Sequence, residues 1–371
     1  MKKTYLDLVL LFLLLTVNAS FAKSNKQKYD IVVAADGSGN YTKVQDAFDA
    51  VKDDNKERTV IFVKAGTYKE KLKLNTHKKN VTLIGESYKN TILTYDDYSA
   101  IAKGTDKCYS VLIEADDFFA ENITFENTID HRLEQYKEGG QGVALMVTGD
   151  RNIFHKCKIT GFQDTFYLKS NGRTYVKDCI IDGTTDFIFG AGIALFENCL
   201  IRVRKDSHIT ASNQNVGKNK YGFVFKDCVI IKYAGEAVSS VSLGRPWGAG
   251  ARVVFLNSYE GPQIKADGWA VWTKDAAKNG FDNWQTAYYA EYNCFGLGFK
   301  STSRLSWTHQ LNDTESLEYT KEKIFSANST TAIKLEGDWN PEIKGDSCRS
   351  ILPDRDVKEN KVESSFLKSI F

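Results

Sequence analysis

The sequence predicts an all-β protein folded as a right-handed, single-stranded parallel β-helix. Three observations favour this fold: a repeat of 20–34 residues centred on cysteines, two aspartates in one register of that repeat, and an abundance of aromatic residues. The chain of 371 residues contains 18 Tyr, 22 Phe and 6 Trp but only 4 Pro. Its apolar content of 42% and charged content of 26% are typical of a globular protein with a large core.

The amino-terminal residues 1–22, MKKTYLDLVLLFLLLTVNASFA, contain two lysines, then an apolar run, then small residues at Ser20 and Ala22. This order is typical of a secretory signal peptide that is cleaved after Ala22. An uncleaved anchor helix is the alternative, but the apolar run is shorter than the roughly 20 residues of a membrane span. We therefore expect an exported protein, periplasmic or extracellular, that is not attached to a membrane after cleavage.

The charge and the short motifs exclude several classes of function. A formal net charge of +2 gives no electrostatic reason to expect nucleic acid as a partner. The five histidines lack the spacing of metal ligands, so no metal site is predicted. The chain contains no G-x-S-x-G elbow, no P-loop and no dinucleotide-binding fingerprint.

Four segments of the sequence share one pattern, in which an apolar residue is followed by Cys three residues later and by an aliphatic residue two after that. These segments are FHKCKI (154–159), VKDCII (176–181), FENCLI (196–201) and FKDCVI (225–230). Two weaker copies have Ile123 and Ser258 in place of the cysteine. Repeats this short, rich in β-branched and aromatic residues, indicate stacked β-turns of a solenoid and not pairs of helices.

The repeated cysteines are predicted to form a ladder inside the solenoid. Parallel strands of neighbouring turns lie about 4.8 Å apart, which would stack Cys157, Cys179, Cys199 and Cys228 as small buried apolar side chains. Disulfides between turns are an open alternative, because Cα atoms at that distance satisfy disulfide geometry. The chain has seven cysteines, so at least one is unpaired in either case.

Two aspartates occupy the same position in successive repeats. Asp164 follows Cys157 by seven residues, and Asp186 follows Cys179 by seven. The two carboxyl groups should therefore lie side by side, where like charges cannot both ionise freely and one pKa rises while the other stays low. Such a pair provides one proton donor and one anion. The alternative is a pair of turn aspartates that cap backbone amides.

Other polar and aromatic residues accompany the aspartates. Gln163 directly precedes Asp164, and Gln141 lies one short repeat upstream, so their amides are candidate donors to an oxyanion. Arg245, in LGRPW, is expected to pair with Asp186, which gives Asp186 the lower pKa and Asp164 the raised one. Trp247, Trp269 and Trp272 are candidates for a surface that stacks against sugar rings, although single tryptophans more often pack in a core.

Several blocks of the chain resemble, in order, those of the pectin methylesterase (pectinesterase) family. They are DGSGNYTKVQDAFDAV, VKAGTYKEKL, QGVAL, GFQDTFYL, GTTDFIFG, LGRPW and YAEYNCFGLG. The resemblance covers residues 28–345 and implies a pectin-lyase-like solenoid domain, followed by a tail over residues 346–371. The chain departs from the family at Gly142, where Ala is usual, at Phe166, where Leu is usual, and at Ser110, where a substrate-binding Thr is common.

The resemblance implies a carboxylic ester hydrolase that acts on methyl-esterified pectin (homogalacturonan) as a monomer and without a metal or cofactor. It implies that Asp186 attacks the ester, that Asp164 is the acid and base, and that Gln141 and Gln163 stabilise the oxyanion. Arg245 orients Asp186, while Ser110, Phe166 and the three tryptophans are candidate substrate contacts. The alternatives are a non-catalytic polysaccharide-binding β-helix, a lyase or polygalacturonase, and a family member that acts on another ester or thioester.

Overall fold

The computed structural model describes residues 29–272 and 282–343. The predicted signal peptide (1–22) and the predicted tail (346–371) lie outside the described residues. Among the described helices, none has the length and hydrophobicity that a membrane crossing requires.

The described strands form three parallel sheets that run along a right-handed β-helix, as predicted. Sheet A contains β1 (Ile31–Val33), β2 (Thr59–Val63), β5 (Val81–Gly85), β8 (Phe119–Glu121), β11 (Asn152–His155), β14 (Arg173–Lys177), β17 (Ile193–Glu197), β20 (Phe223–Lys226), β23 (Arg252–Leu256), β25 (Tyr288–Tyr292) and β26 (His309–Gln310). Sheet B contains β3 (Gly66–Lys69), β6 (Thr91–Tyr95), β9 (Thr124–Asn127), β12 (Lys158–Thr160), β15 (Ile180–Gly183), β18 (Leu200–Val203), β21 (Val229–Lys232) and β24 (Tyr259–Glu260). Sheet C contains β4 (Leu72–Leu74), β7 (Tyr109–Ile113), β10 (Val143–Val147), β13 (Phe166–Leu168), β16 (Ile188–Gly190), β19 (His208–Ser212) and β22 (Ser242–Pro246).

Helices are short and lie between turns or near the carboxyl-terminal end of the described chain. The α-helices are α1 (Val44–Ala50), α2 (Ser99–Ala102), α3 (Asp313–Ser316) and α4 (Lys321–Ile324). The 3₁₀ segments are Thr105–Lys107, Glu134–Tyr136, Asn283–Gln285, Ser301–Ser303 and Leu317–Tyr319.

The cysteine ladder lies inside the solenoid, as predicted. Cys157 and Cys179 are 0% exposed, Cys199 and Cys228 are 1% exposed, and all four are free thiols. Each of the last three is within hydrogen-bonding distance of a carbonyl of the preceding turn, as where the Cys179 thiol lies 3.4 Å from the Phe154 oxygen. The ladder also includes a residue that the repeat analysis missed, because Cys294 occupies the next slot after Ser258, in line with the pairing of β23 with β25.

A left-handed residue precedes every slot of this ladder and turns the chain from sheet A into sheet B. Its φ lies between 49° and 57° at Asn122, Lys156, Asp178, Asn198, Asp227, Asn257 and Asn293. Asn and Asp tolerate this conformation better than other side-chain-bearing residues, and they occupy six of the seven positions. The repeat thus encodes both the inward cysteine and the corner that precedes it.

The outer faces of sheets A and C differ in what covers them. On sheet A, the carboxyl-terminal part of the described chain packs Leu311, Ile324 and Phe325 against Ile193 and Leu195. On sheet C, the outer face carries a separate aromatic cluster with partly exposed members, including Tyr167 and Trp247. At these turns the outer face of sheet A is therefore covered, whereas that of sheet C, where the predicted site lies, is partly accessible.

Candidate active site

Asp164 and Asp186 lie in matching positions on adjacent turns, just before β13 and β16. Phe166 pairs with Ile188, so the aspartate two residues before each of them shares its register. The backbone N–H of Asp164 donates to the Thr185 carbonyl at 3.1 Å, and that of Asp186 to the His208 carbonyl at 2.8 Å. Strand spacing in a parallel sheet then places the two residues about 4.8 Å apart in the direction of the helix axis.

Both aspartates have a left-handed backbone. The φ angle is 63° at Asp164 and 50° at Asp186. Residues with a side chain pay a conformational cost in this region, and Asp is among those that tolerate it best. The same conformation at matching positions gives the two aspartates the same local backbone on adjacent turns.

Arg245 contacts Asp186, as predicted from LGRPW. Its Nε donates to Asp186 Oδ1 at 3.0 Å and its Nη2 to Oδ2 at 2.5 Å, which is the bidentate geometry of a strong carboxylate pair. The Asp186 side chain is 8% exposed and that of Arg245 is 20% exposed. The Arg245 guanidinium also lies 4.4 Å from the centre of the Trp272 ring. These contacts hold Asp186 in one orientation and stabilise its negative charge.

Asp164 has the electrostatics of a proton donor. Burial raises the pKa of Asp164 well above its usual range, the charge on Asp186 raises it further, and Arg245 opposes both effects. Part of Asp164 is exposed, so a proton on its carboxyl group can reach a bound substrate. The pair thus combines a carboxyl group that favours its protonated form with a carboxylate that is bound to arginine.

The two candidate oxyanion donors lie on adjacent turns beside the aspartates. The backbone N–H of Gly142 donates to the Gln163 carbonyl at 3.1 Å, which brings Gln141 close to Gln163 along the chain. Both glutamines are partly exposed, and neither side-chain amide hydrogen-bonds another residue within the described ranges. A Cβ at Gly142 would lie 2.4 Å from Asn127 Oδ1, so this chain cannot accommodate alanine there without moving Asn127.

Three residues predicted to contact the substrate are buried, so the prediction was wrong for them. Phe166 is 0% exposed and packs in the core, with its ring centre 6.0 Å from that of Phe154. Trp269 is 0% exposed, stacks obliquely on Tyr289 at 4.7 Å and donates from Nε1 to Glu291 at 3.2 Å. Ser110 is also 0% exposed and donates to the Tyr95 carbonyl at 3.4 Å. These three side chains point into the solenoid and not towards a bound polymer.

Tyr167 and Phe189, which the sequence analysis did not propose as part of the site, lie on the outer face of sheet C beside the predicted Trp247. Tyr167 stacks on Phe189 with ring centres 4.1 Å apart and planes at 13°, and Trp247 lies 6.1 Å from Phe189. Tyr167 and Trp247 are partly exposed. Strand alternation is the signal that could have found them, because Tyr167 follows the inward Phe166 and Phe189 follows the inward Ile188.

One group of possible metal ligands in the described chain consists of Glu260, Glu291 and Cys294, all of which are buried. Arg304 lies against both carboxylates, at 2.6 Å from Glu260 and 2.9 Å from Glu291. The guanidinium therefore supplies the positive charge that this cluster needs, and we interpret the cluster as a buried ion pair.

The sequence model of the family described as Pectinesterase matches residues 30–328. The chain belongs to the pectinesterase family. It is 39% identical over 294 residues to "Pectinesterase 31" of Arabidopsis thaliana, covering 76% of this chain and 88% of that protein. It covers only 52% of "Probable pectinesterase/pectinesterase inhibitor 58" from the same plant, at 35% identity over 81% of this chain. Membership identifies the chain as an enzyme of the carboxylic ester hydrolase class.

Two solved structures show the same fold. The pectin methylesterase from carrot superimposes with a TM-score of 0.74 at 29% identity, covering 81% of this chain and 94% of that one. A pectin methylesterase in complex with a hexasaccharide superimposes with a TM-score of 0.73 at 29% identity, covering 85% of this chain and 99% of that one.

Proposed function

We propose that this enzyme removes methyl esters from galacturonate units of pectin and releases methanol and pectate. Family membership and the structural similarity to pectin methylesterases, one of them in complex with a hexasaccharide, support pectin as the substrate. The observation that carries the mechanism is the matched pair of aspartates, of which one is bound by Arg245 and the other has a raised pKa. Export through the predicted signal peptide would bring the enzyme to a cell-wall polymer.

In the first step, the Asp186 carboxylate attacks the carbonyl carbon of the methyl ester. The carbonyl oxygen becomes an oxyanion, which the side-chain amides of Gln141 and Gln163 stabilise by donating hydrogen bonds. The tetrahedral intermediate then expels the methoxy group, which takes the proton of Asp164 and leaves as methanol. The products of this step are methanol, an ionised Asp164 and an anhydride between Asp186 and the sugar carboxyl group.

In the second step, water hydrolyses the anhydride. Asp164, now ionised, accepts a proton from the water as it attacks the carbonyl carbon that belongs to the sugar, and the bond to Asp186 breaks. The sugar leaves as a carboxylic acid that ionises in solution, Asp164 is again protonated, and Asp186 is again a carboxylate. Arg245 keeps Asp186 aligned through both steps, because its two donors hold both carboxylate oxygens.

Polymer binding is proposed to use the outer face of sheet C. Tyr167 and Trp247, which are partly exposed and pack on the buried Phe189, form an aromatic surface on the turns that carry the two aspartates and Arg245. Flat apolar rings of this kind stack against the C–H faces of sugars, while their polar edges remain hydrated. Trp272, against the guanidinium of Arg245, extends the aromatic surface beside the reaction centre.

The test of this function is methanol release from highly methylated pectin, with the reducing ends and unsaturated ends of the polymer measured in the same reaction. We expect methanol without new ends, because the reaction cleaves esters and leaves glycosidic bonds intact. New unsaturated or reducing ends would instead identify a lyase or a glycoside hydrolase. Binding of pectin without methanol release would favour a non-catalytic binding protein or an enzyme for another ester.

A further inference from the structure

The column of residues that contains Asp164 and Asp186 continues for two more turns. Ile188 pairs with Thr210, and Thr210 pairs with Gly244. Two residues earlier on each strand, the same register therefore contains Asp186, His208 and Ser242. His208 is partly exposed, and its backbone carbonyl accepts the hydrogen bond from Asp186 N–H at 2.8 Å. His208 is thus the neighbour of Asp186 on the side opposite Asp164.

The His208 ring is held by the next residue in the column. Its Nδ1 lies 2.6 Å from the hydroxyl oxygen of Ser242, which is 1% exposed. Beyond Ser242, the segment 264–272 closes this end of the surface, since Leu243 N–H donates to Gly268 and Ala270 N–H donates to Gly244. His208 and Ser242 therefore occupy the floor between the proposed nucleophile and the segment that carries Trp272.

The imidazole is uncharged over the range in which most enzymes work. Burial, together with the positive charges of Arg245 and Lys265, lowers the pKa of His208 to about 4. When the Ser242 hydroxyl donates to Nδ1, the proton of the neutral ring is on Nε2, which makes Nε2–H a hydrogen-bond donor. A neutral donor can pair with the carbonyl oxygen of a methyl ester as well as with a carboxylate.

We propose that His208 contacts the substrate one turn beyond Asp186, where its Nε2–H donates to an oxygen of the sugar next to the one being hydrolysed, with Ser242 holding the ring. This inference rests on the proposed function, because it assumes a polymer of uronic acid units along sheet C. The step from one turn to the next, about 4.8 Å, is comparable with the length of one sugar unit. Nothing in this role requires a change in the charge of the ring.

The test compares His208→Asn with His208→Gln. The amide nitrogen of Asn reaches the position of Nδ1 and retains a partner for Ser242, whereas that of Gln reaches further, to the position of Nε2. Binding of a methyl-esterified galacturonate oligomer is measured by calorimetry in the Asp186→Asn background, which prevents turnover. We expect His208→Asn to weaken binding about fivefold, the effect of one neutral hydrogen bond, and His208→Gln to restore most of it. Thermal midpoints of all variants show whether each is folded.

Kinetics provide the second measurement. With Asp186 intact, His208→Asn should raise KM for methylated pectin more than it lowers kcat, and it should affect the methyl ester of a single galacturonate much less. Equal binding by the Asn and Gln variants, or equal losses on polymer and monomer, would overturn the proposal and assign His208 a purely structural role. Because oligomer binding is measured without turnover, this result does not depend on methanol release, which tests the proposed function separately.

Discussion

Two pairs of carboxyl groups in the described chain each lie beside one arginine. The two arginines differ in whether they bind one or both carboxyl groups of their pair. On sheet C, Arg245 binds both oxygens of Asp186, and Asp164 takes no bond from it. Near the carboxyl-terminal end of the solenoid, Arg304 donates to Glu260 at 2.6 Å and to Glu291 at 2.9 and 3.0 Å. Arg245 thus donates hydrogen bonds to only one carboxyl group of its pair, whereas Arg304 donates to both carboxyl groups of its pair.

Exposure is the other difference between the two pairs. Glu260 and Glu291 have side chains that are 0% exposed, and Arg304 is 3% exposed, with its remaining donors bonded to the carbonyls of Lys265, Ala266 and Gly298. The aspartate pair borders an open surface. The pKa of one carboxyl group is raised in each pair, at Asp164 and at Glu260, so accessibility to a substrate is what makes the aspartate pair the candidate for catalysis.

Loss of the arginine should affect stability most at the glutamate pair. Arg304→Met leaves two carboxyl groups in the interior without a counter-charge, and we expect the free energy of unfolding to fall by about 3–5 kcal/mol. Arg245→Met should lower it by less, because Asp186 borders solvent, yet it should eliminate most of the methanol release. Denaturant unfolding of both variants measures this difference. Equal losses of stability in Arg304→Met and Arg245→Met would contradict the view that the glutamate pair is structural and the aspartate pair catalytic.

Removal of one oxyanion donor should reduce the rate without affecting the fold. Gln163→Ala is expected to lower kcat about 10²–10³-fold, as for other single oxyanion donors, with little change in thermal midpoint. The exposed Gln285 provides the control, since Gln285→Ala should leave kcat within about twofold of the wild type. A loss of less than about threefold for Gln163→Ala would remove this residue from the oxyanion site.

Glu260 should contribute to the pH dependence of stability, in addition to Asp164, whose pKa is also raised by burial. Burial raises the pKa of Glu260 well above its usual range, and the charge on Glu291 adds to the effect, against the opposing Arg304. A raised folded-state pKa contributes stability that is fully present below the ordinary glutamate range and is lost as pH rises through the folded value. Each pH unit between the two values costs about 1.4 kcal/mol. Unfolding experiments at several pH values should therefore show a decline that Glu260→Gln flattens.

The ionisation of Asp164 should respond to its partner on the next turn. Burial is the larger cause of its raised pKa, and the charge on Asp186 is the second. In Asp186→Asn, the pKa of Asp164 should therefore fall towards the ordinary range but remain above it. Titration of Asp164 by carbon NMR of labelled aspartate measures both values. An unchanged pKa would show that the two carboxyl groups do not interact.

The sequence allowed the fold and the central part of the site to be predicted, because both depend on a repeat. The cysteine slots gave the turn length, and the turn length placed Asp164 beside Asp186. Cys294 was missed because Glu291 and Gly296 occupy the flanking positions where the repeat pattern has an apolar and an aliphatic residue. Phe166, Trp269 and Ser110 were assigned to the substrate surface, although they face inward. Alternation is interrupted at the corners between sheets, as where Phe187 and Ile188 are both in the core, so spacing alone does not assign a face there.

The most direct test of the account is the methanol release of Asp186→Asn, measured together with its thermal midpoint and its binding of methylated oligomers. Asp227→Asn is the matched control, because Asp227 has the same left-handed backbone, at φ 55°, in an exposed turn that precedes the cysteine ladder. The account predicts that Asp186→Asn lowers kcat by at least about 10⁴-fold while remaining folded and binding substrate, and that Asp227→Asn retains full activity. If Asp186→Asn kept more than a few per cent of the activity, Asp186 would not be the nucleophile, and attack by water with Asp164 as the general base would replace it.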